Sequence, residues 1–480
     1  MDSNNIPVVN DPRRLNVDLD VNNIPTLDED VKLQLRKLDQ PITYFGENAS
    51  DRRQRLIKLI SEMPHEVTGF DYEVENGDED IEDEDEDDDE EFYTPGSQQL
   101  YDARVDILKF SLHKASERNK TLKKLAREEN FIKVLKHRRQ INSKLKDYEL
   151  YGSQLIPRNT RALSAVRFSK DNSLIATGSW DGSLTILNSS DLSIKKSQDS
   201  IYHSDKVSGL DWDIYSDSNL LVSGGGEGNI YVWKVEEEGN TKLKPHLSIK
   251  GAHDNRITKT IFHPSSKYIA SLSFDQTWKL WDLEKPQQEL IQQEGHSQEV
   301  FAGSFHPDGS ILATGGLDAI GRLWDLRSGR SIATMESHIK GIYSMDWSWN
   351  GSHLATASGD FSVKIWDIRK LDRKNSELFS IPLHTKVVSD VRFFNRRQAD
   401  VLSKEVSGEF NEEPQTLDSN GTFLVTASYD GTLGIISSDN WVKVKSLAGH
   451  NDKVMSCDIS GDGSKIVSSG WDRSVKLWGL

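Results

Sequence analysis

Histidines, hydroxyls and carboxylates recur in this 480-residue chain at spacings that suggest acid–base chemistry. Four sets stand out: His253, Ser271 and Asp275; His296, Thr314 and Asp318; His338, Thr356 and Asp360; His450, Ser468 and Asp472. A hydroxyl beside an imidazole that is itself held by a carboxylate is the arrangement of a base-activated nucleophile. Here, however, the same residue types return again and again, each time followed by a tryptophan: Trp281, Trp324, Trp366 and Trp478. An active site is built once per chain, whereas repetition is what scaffolding does. The histidines are therefore expected to be structural. An Asp in a tight turn finds donors in imidazole, hydroxyl and backbone N–H, and indole completes the set. No catalytic residue is expected. The triple glycine at 224–226 lacks the Lys-Ser/Thr and the strand-to-helix context of a phosphate loop, and it is read as a turn.

The elements that carry these sets are short alternating strands fed by polar turns. Turn acids fall at Asp181, Glu227, Asp275, Asp318, Asp360, Asp430 and Asp472, with successive gaps of 46, 48, 43, 42, 70 and 42. The long gap is a repeat of ordinary length plus a polar insert at about 394–420, expected to be a disordered loop. Seven such units resemble the WD-repeat family over 152–480, which implies an all-β seven-bladed propeller. Three blades depart from the full set. Blade one lacks the His and has Leu187 for Trp, blade two has Glu227 for Asp, and blade six has Ile436 for Trp. These blades are expected to be locally weaker. The last unit stops one strand short, so Gly152 to Arg158 is the expected donor that closes the ring.

Composition narrows the class further. A single cysteine, Cys457, excludes a disulfide framework and a multi-cysteine zinc site, and no cofactor or metal is expected. No secretory signal or 18-residue apolar run occurs, so no membrane span is expected. The formal charge of −17 hides a partition: 71–91 holds 16 acids and no base, while 92–150 holds 14 bases and 7 acids. Global acidity therefore does not exclude a nucleic-acid partner.

Ahead of the repeats the chain reads as a mainly α-helical, partly disordered extension. Residues 1–25 are expected to be a disordered tail and 63–96 an acidic linker. Over 26–62, Thr26 and Glu29 form a capping box before a short helix, Pro41 ends it, and Ser50 opens a second helix. Residues 97–151 contain no Gly or Pro and are rich in Lys and Arg, which predicts one long basic helix of roughly 80 Å. Its cations Lys123, Lys124, Arg127, Lys133, Lys136, Arg138, Arg139 and Lys144 are candidates for contact with RNA phosphates. A solvated helix bridging two bodies is the alternative, and a nuclear localisation signal is compatible with either. On the propeller, Trp180, Phe274, Tyr429 and Trp471 precede turn acids, and Phe301 and Tyr343 follow blade-opening histidines. These six are candidate protein-binding anchors on one rim.

The segment LRKLDQPITYFGENASDRRQRL at 35–56, with Phe45 and Arg53 within it, resembles a short motif of splicing factors. Joined to a propeller, and followed by an acidic stretch, the turn EFYTP and a basic helix, it is similar to the pre-mRNA processing factor four family. That family comprises WD-repeat subunits of the U4/U6 small nuclear ribonucleoprotein. The resemblance implies a nuclear, non-catalytic scaffold of the U4/U6 particle and its tri-snRNP with U5. The implied partners are U4 and U6 small nuclear RNA, pre-mRNA processing factor three and other tri-snRNP proteins, with no small-molecule substrate. A general WD-repeat adaptor, such as a ubiquitin-ligase substrate receptor, is the competing expectation.

Overall fold

The computed structural model describes residues 28–38, 40–42, 48–62, 96–128, 131–156, 161–198, 200–235, 242–286, 288–370, 377–397, 402 and 419–480. It divides into two units, Met1–Tyr93 and Thr94–Leu480. In the first, helices α1 (Asp28–Lys37) and α2 (Ala49–Glu62) bury Val31, Leu35 and Leu56 against one another. Arg52 forks onto Asp28, with 2.8 Å to each carboxylate oxygen. The hydrogen bonds from Arg52 and Lys32 hold the Asp28 carboxyl down at about 2. Arg55 donates to the carbonyls of Pro41 and Ile42 at 2.9 and 3.2 Å, tying the turn to α2. Thr26 of the expected capping box lies outside the described residues, as do the tail, the acidic tract and Phe45.

The second unit is a ring of seven sheets, antiparallel except that blade one gains a short fifth strand, Lys242–Leu243, paired parallel to Ile194–Gln198. Each blade follows one pattern: an inner strand lines the central channel, and three more strands step outward. In blade three these are Ile257–Phe262, Tyr268–Ser273, Trp278–Asp282 and Glu289–Gln293. The second strands are buried on both faces, as Tyr268–Ser273 is throughout, because each blade is packed between two others. Trp212, Trp233, Trp278, Trp347, Trp366 and Trp478 are the largest fully buried side chains and fill the space between blades. Inner-strand carboxylates stitch neighbours together: Asp211, Asp346 and Asp458 accept from the backbone N–H of Phe262, Phe393 and Phe168 at 3.0, 2.8 and 2.8 Å.

Closure uses the strand Glu149–Leu155, which pairs antiparallel with the chain's last strand, Ser474–Gly479. It begins three residues before the expected donor. Tyr148 fixes that register, buried completely and donating its hydroxyl to the Gly463 carbonyl at 2.5 Å.

Of the helix expected over 97–151, Gln98–Glu128 (α3) and Phe131–Lys144 (α4) are helical, with residues 129–130 outside the described residues, and the helix ends seven residues early, in a single 3-10 turn (Leu145–Asp147) before the closing strand. The reason is packing. Ile141, Leu145 and Tyr148 are buried against blades six and seven, and the open edge of the last strand recruits residues 149–155 as its partner. The same docking revises the insert. Phe394 is buried and stacks on Phe423 at 5.0 Å, and Leu402 is buried beside Ile141, so the edges of 394–420 belong to the fold. Residues 398–401 and 403–418 lie outside the described residues.

Candidate interaction sites on the two propeller faces

The four full sets form continuous hydrogen-bonded chains. Indole N–H reaches the hydroxyl at 2.7–3.0 Å, imidazole Nε2 meets the same hydroxyl at 2.6–2.8 Å, and Nδ1 meets the carboxylate at 2.7–3.0 Å. The second carboxylate oxygen takes the turn, as where Asp275 accepts from Thr277 N–H and Oγ–H at 3.0 and 2.7 Å. Burial works against the charged form, yet the hydrogen bond and charge of His253 hold the Asp275 carboxyl at about 2. Every one of these hydroxyls is fully buried and its oxygen already accepts from an indole N–H, so none of the four is presented to a substrate. His384 keeps its contacts to Asp430 and Thr426 at 2.8 and 2.9 Å without a tryptophan.

Blade two is complete despite its longer acid. His203 meets Glu227 at 2.6 Å and Ser223 at 2.8 Å, and Trp233 donates to Ser223 at 2.8 Å. The glycines explain how. A Cβ at Gly225 would lie 2.2 Å from the His203 ring and 2.4 Å from the Glu227 carboxylate, so glycine makes the room that the extra methylene needs. Gly224 and Gly225 therefore end the strand Leu220–Gly225, and the triple glycine is only in part the turn expected of it.

The turns carrying these acids share one face of the ring with the loops that open each blade. On that face all six expected anchors meet around the mouth of the channel. Tyr343, Phe301 and Phe274 pack edge to face at 5.5 and 5.1 Å, and Trp180 meets Trp471 at 5.2 Å. Lys206 bridges the two groups, 5.4 Å over Trp180 and 5.8 Å from Phe274, while Lys453 sits 4.3 Å over Trp471 and 5.4 Å from Tyr429. Burial, then Tyr343, pushes the Tyr429 hydroxyl up to about 12. Only Trp471, at 37 %, counts as exposed; the other five are half-buried. The lysines were missed in the sequence, where each is one cation in a charged loop.

The helices dock on the opposite face. Ala103 and Ile107 of α3 are buried against blades three and four. Arg118 forks onto Asp308 at 2.6–3.1 Å and donates to the Asn350 carbonyl at 2.7 Å. At the other end of the segment, Arg138 pairs with Asp439 at 2.8 Å and Lys144 donates to the Leu402 carbonyl at 2.9 Å. Two of the eight expected RNA-contacting cations are thus engaged with the propeller. Between the anchors Lys120, Lys123, Lys124, Arg127, Lys133 and Lys136 are all exposed, and the first four recur at helical spacing on one side of α3. Arg139 is exposed beyond them. In the separate N-terminal unit Arg53 is half-buried on α2, and its Nε has no partner among the described residues.

The chain matches the family described as "pre-mRNA processing factor 4 (PRP4) like" over residues 31–59, the stretch that holds most of α1 and most of α2. It also matches the WD domain, G-beta repeat, in six segments from 154 to 479; blade six, with its insert, is the blade left unmatched. It is 42 % identical to the U4/U6 small nuclear ribonucleoprotein PRP4 of Saccharomyces cerevisiae over 95 % of this chain and 90 % of that one. A PRP4-like protein of Arabidopsis thaliana is 34 % identical over 95 % of this chain and 75 % of its own length. The human U4/U6 small nuclear ribonucleoprotein Prp4 is 33 % identical over 33 % of this chain and 30 % of its own. With both the short motif and the propeller matched in order, the chain belongs to the PRP4 family of U4/U6 small nuclear ribonucleoprotein WD-repeat proteins.

Proposed function

We propose that the chain is a non-catalytic scaffold of the U4/U6 particle and its tri-snRNP with U5, working in the nucleus on two surfaces at once. The exposed cations Lys123, Lys124, Arg127, Lys133, Lys136 and Arg139 follow the phosphate backbone of U4 and U6 small nuclear RNA. Trp180, Phe274, Phe301, Tyr343, Tyr429 and Trp471 receive a protein partner on the other face. The α1–α2 motif, with Phe45 and Arg53, docks on pre-mRNA processing factor three. Several modest contacts on one chain then raise the effective concentration of each partner for the others.

The observation that carries this is the separation of the two surfaces. A cationic stretch is pinned at both ends by Arg118 and Arg138 on one face, while the aromatic rim occupies the opposite face. RNA and protein need not compete for the same ground. A general adaptor reading is not favoured, because the residues ahead of the propeller match the PRP4-like family. The test is binding of a U4/U6 duplex RNA by the full chain across a salt series. Neutralising Lys123, Lys124 and Arg127 together should weaken binding and lower the salt slope by roughly 0.9 for each phosphate that is no longer neutralised. An unchanged slope would remove the stretch from the RNA interface.

A further inference from the structure

At the centre of the aromatic rim the channel opens into a cavity of about 290 Å³. Most of its wall is neutral, with Ser164, Ser208, Thr258 and Ser344 below the rings. The charged residues on it are Arg167, Lys206, Asp390 and Lys259. The Lys259 side chain comes from the inner strand of blade three, is only 9 % exposed and lines this cavity. Among the described residues nothing hydrogen-bonds its ammonium. Asp390, on the same wall, is already engaged by Ser344, Ser456, the Cys457 N–H and Arg167 at 2.7, 2.8, 3.2 and 3.3 Å. The Ser208 hydroxyl is also buried without a partner.

The fold does not ask for this lysine. At the equivalent inner-strand position, just past the bulge that opens each blade, the other six blades carry Ala165, Gly209, Ala302, Ser344, Asp390 and Ser456. Five of these are Ala, Gly or Ser and the sixth is Asp390, so blade three alone places a cation at this level of the channel. A largely buried lysine is costly to keep, and here Asp390 and Asp346 offset the cost only through space, without a hydrogen bond to its ammonium among the described residues.

We propose that this cavity receives a carboxylate of a partner polypeptide, an Asp or Glu side chain or a chain terminus. It is carried by an extended segment across the rim and meets Lys259 and Ser208, while Trp180, Phe301 and Trp471 grip apolar neighbours. This rests on the reading of the rim as a protein-docking surface. Charge sets the sign of the ligand. Lys206 and Lys453 already stand over the rings, which leaves no aromatic cage for a cation. Ring geometry favours protein over RNA. The rings pack edge to face at 63–72°, so they do not offer the open flat faces on which bases stack. Burial and the charges of Arg392 and Arg167 push the Lys259 ammonium down to about 7, against Asp390 and Asp346, so a bound carboxylate would restore its proton.

The test is a display library of random ten-residue peptides selected on the full chain, with the winners measured against variants. Selected peptides should carry one carboxylate between apolar residues and lose about 10- to 100-fold in affinity on Lys259→Met. Their binding should weaken from pH 6.5 to 8.5 in the parent and stay flat in Lys259→Met. Lys206, which burial and Arg256 also push down, faces the same cavity, and a Lys206→Gln variant should keep the pH dependence. Lys259→Met should melt at or above the parent, since it removes a buried charge whose desolvation outweighs its attraction to Asp390 and Asp346. Peptides that need Phe301 but bind Lys259→Met undiminished would overturn the carboxylate and leave the docking rim standing. A library that selects nothing, or peptides indifferent to both Lys259→Met and Phe301→Ala, would overturn both.

Discussion

Arg118 is the residue on which the position of the basic stretch turns, and Arg118→Ala tests that directly. The guanidinium makes three contacts of 2.6–3.1 Å with Asp308 and one of 2.7 Å with the Asn350 carbonyl. The Asp308 side chain is 7 % exposed and that of Arg118 20 %, so the pair is only lightly screened. Removing one partner of a buried pair costs about 3–5 kcal/mol, because the other charge is left without compensation. Allowing for the exposed edge of Arg118 and for His306, whose Nδ1 lies 3.7 Å from the Asp308 carboxylate, about 2–4 kcal/mol is expected. The loss has two parts. The propeller keeps an unpaired carboxylate between blades four and five, and α3 loses its tie beyond Ile107. Hydrogen exchange should accelerate over 112–128 while 98–108 stays protected by Ala103 and Ile107. Denaturant unfolding should report the global part. The double variant Arg118→Ala/Asp308→Asn should recover more than half of it, since a neutral amide does not need the guanidinium. A single variant within about 0.5 kcal/mol of the parent, with exchange unchanged over 112–128, would refute the anchoring.

Other outcomes rest on particular contacts. Gly225→Ala should destabilise blade two by about 1–3 kcal/mol by driving a methyl into the His203 ring and the Glu227 carboxylate, and adding Glu227→Asp should restore most of it in denaturant melts. Tyr148→Phe leaves the Gly463 carbonyl without its donor and should cost about 1–2 kcal/mol, with faster exchange in the closing strand. Acid should destabilise the propeller in two stages. Burial holds the His263 imidazole at about 4, below its ordinary 6.5, so that contribution is whole above pH 6.5 and fades as pH falls towards 4. The Asp275 carboxyl, held at about 2 instead of 3.8, adds a loss only below pH 4. Calorimetry should show a melting temperature that falls monotonically from pH 6.5, and a rise between 6.5 and 4 would contradict the burial of neutral imidazole.

Much of the site could be read along the chain because it is repeated. His253, Ser271, Asp275 and Trp281 are recognisable by spacing since one blade solves the same local problem as the next, and the solution recurs in the sequence. The six rim aromatics were legible for the same reason: each sits at a fixed step from a turn acid or a blade-opening histidine. What resisted was anything decided between blades. Lys259 reads as one more polar residue in the strand ITKTIF until the ring closes and buries it in a channel with Arg167, Arg392 and Asp390. The space for Glu227 depends on Gly225 lying against His203, a residue of the preceding loop that is remote in sequence.

The chain by itself therefore determined the architecture. A period near forty residues, turn acids and strand tryptophans specify a propeller, and the separation of acidic from basic segments leaves room for nucleic acid. Tertiary structure decided which cations dock on the propeller and on which side of the ring the basic stretch lies. Arg138 and Lys144 have the same local sequence character as Lys133 and Lys136, yet they meet Asp439 and the Leu402 carbonyl, because Ile141, Leu145 and Tyr148 must be buried. Hydrophobic docking of one helix face, which charge patterning does not reveal, set the end of the basic stretch and the face of the propeller from which it is presented.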